Sequence, residues 1–555
     1  PNSMQAFATM LDASLLTNSA LSVSELEKQA INELAIPKGE LRLVKDAVRV
    51  MALTFSYQGN GKAIESFFEG FGSRYYEQLI YDELAQQHLD NDRFQDSANV
   101  LVSFAHQEPV HPRAIEFYIR HIDAFVLGDF PARVLVAKEE FVKTYSLGNG
   151  VVNSLDTPIG RGAMPYLRIY IKQLAQTEHS IAQSIDAILV KRAAIRATNS
   201  NKAGVSSTNL AASTDSGFVA QSISQQQDSV WRLASDSDLK ALSRQAYTKA
   251  KQYYKNFIAT FSPSPEVAPL RFYLAEALLA LNEFEAAIEA FETFAYLDIQ
   301  NKPNSTNAKA LAAQKVDMPK PEEAAYAALL VYQKMAGKNP QPANIGAGLT
   351  FKAPLDRWQM SQAKFADTFA SGARAPVVAV TLMQNLFTQQ NYLPAQEWAT
   401  WLLSRKGGEA GRVVITVNMQ ESAMLVMAHS YFAMDMFNEA QSGYRELLFA
   451  LPPLDQRRQE LTDRLAASLY KQAENLLLAN KIDAASLQAQ NISNKSQLKQ
   501  VQLVVLEKSV ALLQQVVTET PLSEFRLAAQ YDSAVYFSVL ENWSSAITTF
   551  LDFQT

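Results

Sequence analysis

The side chains that could do chemistry in this sequence are few, and their spacing does not suit them to it. No cysteine occurs among the 555 residues, which removes thiolate zinc sites, iron–sulfur ligation, disulfides and cysteine nucleophiles together. The six histidines are His88, His106, His111, His121, His179 and His429, and they form neither an HExxH motif nor an i, i+4 pair on one helical face. Gly59-Asn60-Gly61-Lys62 carries part of a phosphate loop. That loop also needs a glycine five residues before its Gly-Lys and a Ser or Thr after it, and Ser56 and Ala63 hold those positions, so the segment reads as a turn between paired helices. Gly160-Arg161-Gly162 lacks the preceding strand of a dinucleotide fingerprint. No Gly-x-Ser-x-Gly elbow exists, and Glu139-Glu140 and Glu322-Glu323 are sequence neighbours that diverge by about 100° on a helix. The expectation is a protein that is not an enzyme, with no catalytic residue, cofactor or metal ligand.

The composition describes the elements that would carry any site. Gly 20 and Pro 21 make up 41 of 555 residues, too few for the turns of an all-β chain and in keeping with long helices. Hydrophobic content of 48% and mean hydropathy of -0.11 fit a folded chain without a membrane-spanning segment, since no apolar run approaches 18 residues. Fifty Lys+Arg against 56 Asp+Glu leave a net charge of -6, which gives no electrostatic footprint for nucleic acid.

Helix pairs with small residues at their crossings recur along the chain. Pro269 to Leu297 reads as two helices joined at Asn282-Glu283-Phe284, with Leu274, Ala275 and Leu278 on one face of the first and Ala287, Phe291 and Phe294 on one face of the second. Leu84-Ala85, His88, Ser97, Leu101 and Pro109 repeat this grammar, as do Met427-Ala428, Tyr431, Ala440, Tyr444, Leu447 and Pro452. Weaker copies centre on Ala63, Ala395 and Ala546, followed four residues later by Phe67, Ala399 and Phe550. The distance from Ala63 to Ser97 is 34 residues, and Ala395, Ala440 and Ala485 are 45 apart. This pattern resembles the tetratricopeptide repeat (TPR), a 34-residue helix–turn–helix. The family's first-position Trp is replaced by Arg271, Tyr81 and Met424 in the three best copies. The resemblance implies an all-α, TPR-like helix–turn–helix solenoid, coiled as a right-handed superhelix, with irregular inserted loops.

Other segments differ in texture. Residues 197–238 are rich in Ser, Thr, Asn and Gln and read as a polar linker or long loop between an N-terminal array, 1–196, and a C-terminal array, 239–555. Asp298 to Glu322, Ala336 to Pro354 and Ser404 to Gly411 read as excursions between helices, and Leu167 to Ile195 as one long amphipathic helix. The sequence opens Pro-Asn-Ser-Met without a signal peptide and stops after Phe550, Leu551 and Phe553 without a polar cap, so continuation beyond both ends is expected.

In TPR arrays the first helix of each pair, helix A, lines a concave groove. Transferring the family's inner positions gives Phe272, Glu276 and Leu279 in one copy, Gln384 and Phe387 in another, and Leu425, His429 and Phe432 in a third. This mostly apolar set suits an amphipathic helix or extended segment of another protein, and it lacks the basic and amide residues of a carboxylate clamp. The order of units over residues 75–555 also resembles large envelope-associated TPR proteins of Gram-negative bacteria. That resemblance implies a non-catalytic scaffold or adaptor that is periplasmic or outer-membrane-associated, with envelope proteins as partners. A repeat-bearing enzyme acting on a cell-envelope polymer and a cytoplasmic TPR regulator are the alternatives.

Overall fold

A computed structural model describes residues 2–17, 22–148, 151–154, 156–200, 231, 234–298, 319–338, 354–405, 415–483 and 498–554. Among these residues the secondary structure is helical without a strand, as the scarcity of glycine and proline requires. The chain divides into two compact units, Pro1–Val331 and Tyr332–Thr555.

In the first unit the helices are α1 (Asn2–Thr17), α2 (Val23–Leu26), α3 (Lys38–Gln58), α4 (Gly61–Phe71), α5 (Glu77–Leu89), α6 (Phe94–Gln107), α7 (Ala114–Leu127), α8 (Pro131–Tyr145), α9 (Pro158–Ser200), α10 (Asp236–Phe261), α11 (Val267–Ala280) and α12 (Phe284–Thr293). A π-helical turn, Phe294–Asp298, follows α12, and α13 (Pro321–Lys338) carries the boundary. The second unit continues with α14 (Pro354–Thr368), α15 (Ala375–Thr388), α16 (Tyr392–Leu403), α17 (Val417–Ala433), α18 (Phe437–Ala450), α19 (Arg458–Ala479), α20 (Gln500–Glu519), α21 (Arg526–Val539) and α22 (Trp543–Gln554). From α5 to α12, and again from α14 to α22, each helix packs on the next, and α3·α5 and α15·α17 also meet as successive A helices. Each unit is an array of helical hairpins, which establishes the all-α repeat solenoid expected from the sequence.

One turn geometry closes most of these hairpins. Asp92, Asp129, Asn282, Gln390, Asp435, Lys481 and Glu541 all adopt φ between 56° and 63°. The residue after each donates its N–H to the carbonyl five positions earlier, as in Arg93 to His88 at 2.8 Å, Glu283 to Leu278 at 2.9 Å and Met436 to Tyr431 at 2.9 Å. This is the bonding of a Schellman cap, which satisfies the last carbonyls of the outgoing helix while reversing the chain. Four of the seven left-handed positions are Asn or Asp, the non-glycine residues that tolerate that conformation best, so the chain makes these turns with few glycines.

Counting from this turn puts the helix crossings in register. Ala85 and Ser97, Ala275 and Ala287, and Ala428 and Ala440 are each fully buried where helices A and B of one hairpin cross. The same register holds for Ala395 and Ala399. The first hairpin departs from its expected register by one residue: Ile64 and Phe68 are buried, while Ala63 and Phe67 are only half-buried. The cause lies in the turn, where Gly59 and Asn60 both have positive φ and α4 begins at once with Gly61.

The expected long helix is α9, longer at both ends and containing Pro165. Most of the expected 197–238 linker lies outside the described residues, as do Ala485 and most of the three expected excursions. Helices α9 and α10, which flank that linker, pack against each other within the first unit. Arg192 bonds the carbonyls of Trp231 and Ala234 at 3.0 and 2.9 Å and the Asp236 carboxylate at 2.8 Å. Among the described residues α20 alone is long and apolar enough to cross a membrane. It contributes Val505, Leu506, Val510, Leu513 and Val516 to a hydrophobic core shared with α19 and α21.

Candidate interaction surface

Three of the expected inner residues meet in the second unit. Phe387 on α15 lies 6.2 Å from the His429 ring on α17, centroid to centroid, and 5.7 Å from Tyr392. His429 Nδ1 is 2.7 Å from the Tyr444 hydroxyl on α18. Phe432, one turn further along α17, packs on Phe437 at 5.2 Å, and the Arg464 guanidinium of α19 sits over its ring at 5.8 Å. Leu425 packs, half-buried, against the core of α17 to α21, whereas Gln384 is exposed. Successive A helices thus contribute Phe387, then His429 with Phe432, then Arg464 to one row.

The Tyr444–His429 bond fixes a hydrogen. Tyr444 is fully buried, and His429 is the hydroxyl's partner among the described residues. Burial and the Arg464 charge lower the His429 pKa, so the ring is neutral. Were Nδ1–H the donor, the buried tyrosine proton would have no acceptor. The hydroxyl therefore donates to Nδ1, and Nε2 carries the ring hydrogen as a donor in the row.

The three inner residues expected in the first unit do not form such a row. Phe272 packs on Phe291 and Phe294 of its own hairpin at 5.5 and 5.7 Å, and Leu279 is half-buried. Glu276 instead meets a histidine that sequence spacing gave no reason to pair with it. His179 on α9 brings Nε2 within 3.8 Å of Glu276 Oε2; the two side chains are 5% and 36% exposed. Tyr254 lies 3.1 Å from Nδ1 of His179, and Gln183 Nε2 lies 3.1 Å from its Nε2. A glutamine N–H must donate, so Nε2 accepts, Nδ1 carries the hydrogen and the imidazole is neutral. Burial lowers the His179 pKa to about 4 and raises that of Glu276 to about 7. Nearby, Lys249 bridges Glu139 at 3.2 Å and Glu178 at 3.0 Å. Among the described residues no group of three or more His, Asp or Glu side chains could hold a metal ion.

His88 and His121 are packing residues. Their nitrogens bond Asn60 Oδ1 at 2.9 Å and the Ala98 carbonyl at 2.8 Å. The His179–Glu276 pair was not legible because 97 residues separate its members, and only the hairpin register brings α9 and α11 together.

No family model matches this sequence, and no curated protein matches it. Solved structures that align with it include yeast Tom70, at 12% identity over 91% of each chain with a TM-score of 0.18. A monomeric mutant of IFIT1 with m7Gppp-AAAA aligns at 10% identity over 85% of this chain and 75% of that one, with a TM-score of 0.18. The APC/C hetero-tetramer Cut9–Hcn1 aligns at 11% identity over 88% of each chain, with a TM-score of 0.14.

Proposed function

We propose that this chain is a non-catalytic scaffold or adaptor of a bacterial envelope complex, periplasmic or outer-membrane-associated, that holds segments of partner proteins on the inner row of its second unit. The observation that carries this reading is the row itself: apolar rings of Phe387 and Phe432 on adjacent A helices, with a fixed N–H donor at His429 between them. Such a row recognises a short apolar segment by ring contact and its backbone carbonyls by hydrogen bonding. The envelope setting is supported by the order of the repeat units along residues 75–555, which resembles that of envelope-associated TPR proteins.

Crosslinking in cells followed by mass spectrometry tests it. Capture of inner- or outer-membrane machinery, with crosslinks at Phe387, His429 or Phe432, is expected, and Phe432→Glu should abolish that capture while leaving the helical circular dichroism unchanged. Capture of cytosolic proteins alone would replace the envelope setting with the cytoplasmic regulator. The perturbed His179–Glu276 pair favours a second reading, an enzyme acting on a cell-envelope polymer, because a raised carboxyl beside a neutral imidazole suits acid–base chemistry. Loss of a polymer-cleaving activity in Glu276→Gln, with capture intact, would establish that reading instead.

A further inference from the structure

Helix α3 is apolar on two opposite sides. Its core side, Val44, Ala47, Val48, Met51, Ala52 and Phe55, is buried. With about 100° of turn per residue, Leu43, Val50, Leu53 and Tyr57 project on roughly the opposite side, within a stripe about 80° wide. They are 57%, 42%, 50% and 85% exposed. An exposed apolar side chain needs no explanation singly, but four in line over four turns do. Their spacing is that of the a and d positions of paired helices, with Asp46 at one d position. Arg42 and Arg49 border the stripe along one edge only, and neither is in an ion pair among the described residues. The opposite edge turns into the core at Ala47.

We propose that this stripe docks an amphipathic helix of a partner protein, whose apolar a and d side chains are bordered on one edge by Asp and Glu. A helix fits because the stripe is straight and heptad-spaced. The acidic edge follows from two unpaired cations on a chain of net charge -6. A second copy of this chain fits poorly, because a two-fold antiparallel pairing would lay the Arg42–Arg49 edge against itself. Four anchors and two rim charge pairs correspond to a dissociation constant on the order of micromolar. The inference is independent of the inner row, which lies in the other unit.

The test uses the full chain and two fluorescein-labelled helical peptides of about six turns, each with Leu at every a and d position. One carries Glu along a single edge and the other carries Lys there. Fluorescence anisotropy should show the Glu peptide binding about tenfold tighter, by an advantage that shrinks as salt rises. The double variant Arg42→Glu, Arg49→Glu should reverse the preference. Val50→Asp, or Leu43→Asp as a second probe, should remove binding of both peptides without lowering the melting temperature, since both sites face solvent. Equal affinity for the two peptides, no binding of either, or binding that survives Val50→Asp would overturn the proposal. A dimer in sedimentation that Val50→Asp dissolves would overturn it in favour of a second copy.

Discussion

Glu276 and His179 make a proton-dependent contact between helices that are not consecutive. With the carboxyl raised to about 7 and the imidazole lowered to about 4, the pair is neutral on both sides over the interval between those values. For Glu276 the folded pKa lies above its ordinary 4.5, so its contribution is fully present below 4.5 and is lost as pH rises through about 7. For His179 the folded pKa lies below its ordinary 6.5, so its contribution is fully present above 6.5 and is lost as pH falls through about 4. Where the two windows overlap the slopes oppose each other, and the wild-type chain hides both. Glu276→Gln keeps the shape of the protonated acid and cannot ionise. Its melting temperature relative to wild type should therefore climb from pH 5 to pH 7.5 and level off above. A difference that does not change with pH would show that Glu276 is not protonated in the folded chain.

The hairpin is the element that turns sequence into structure here, and two features of it can be tested. At the α17–α18 crossing a Cβ built on Gly443 would lie 2.9 Å from Ala428 Cβ, so the helices are at their closest approach there. Gly443→Leu and Ala440→Trp should each destabilise the chain by about 1–3 kcal/mol, read as a lower denaturation midpoint at unchanged slope. A stable, fully helical Ala440→Trp variant would contradict the register. At the turns, Glu541 holds φ 63° with a longer side chain than the Asn and Asp residues that tolerate this conformation best. Glu541→Gly should raise the midpoint by up to about 1 kcal/mol, and Asp435→Gly by less. The same features explain what was legible. Hairpins with alanine or serine at both crossing positions could be read from sequence, as at Ala85 with Ser97 and Ala428 with Ala440. The α7–α8 hairpin could not, because Ile122 and Val134 fill the crossing and leave no small-residue signal. The inner-row residues followed from the register, but their partners did not. Arg464 over Phe432 and His179 beside Glu276 depend on how neighbouring hairpins stack, which helical periodicity within one segment does not encode.

At the scale of the whole molecule, stability in such an array is a sum of hairpin and nearest-neighbour terms, so a defect should travel only as far as the contacts that transmit it. Tyr444 tests this well. It is fully buried, bonds His429, and belongs to a core that runs from α17 to α21. Tyr444→Ala removes a large side chain and orphans His429 Nδ1, at a cost of about 3 kcal/mol or more. Amide hydrogen exchange should then speed up in peptides from α17 to α20, whose mutual packing the tyrosine anchors. Peptides from α5 to α8, which have their own core around Phe104, Phe117, Tyr118 and Phe141, should exchange at the wild-type rate. A uniform rise across both units would mean that the 555 residues unfold as one cooperative body. In that case the chain could not loosen its second unit to admit a partner while holding the first unit rigid.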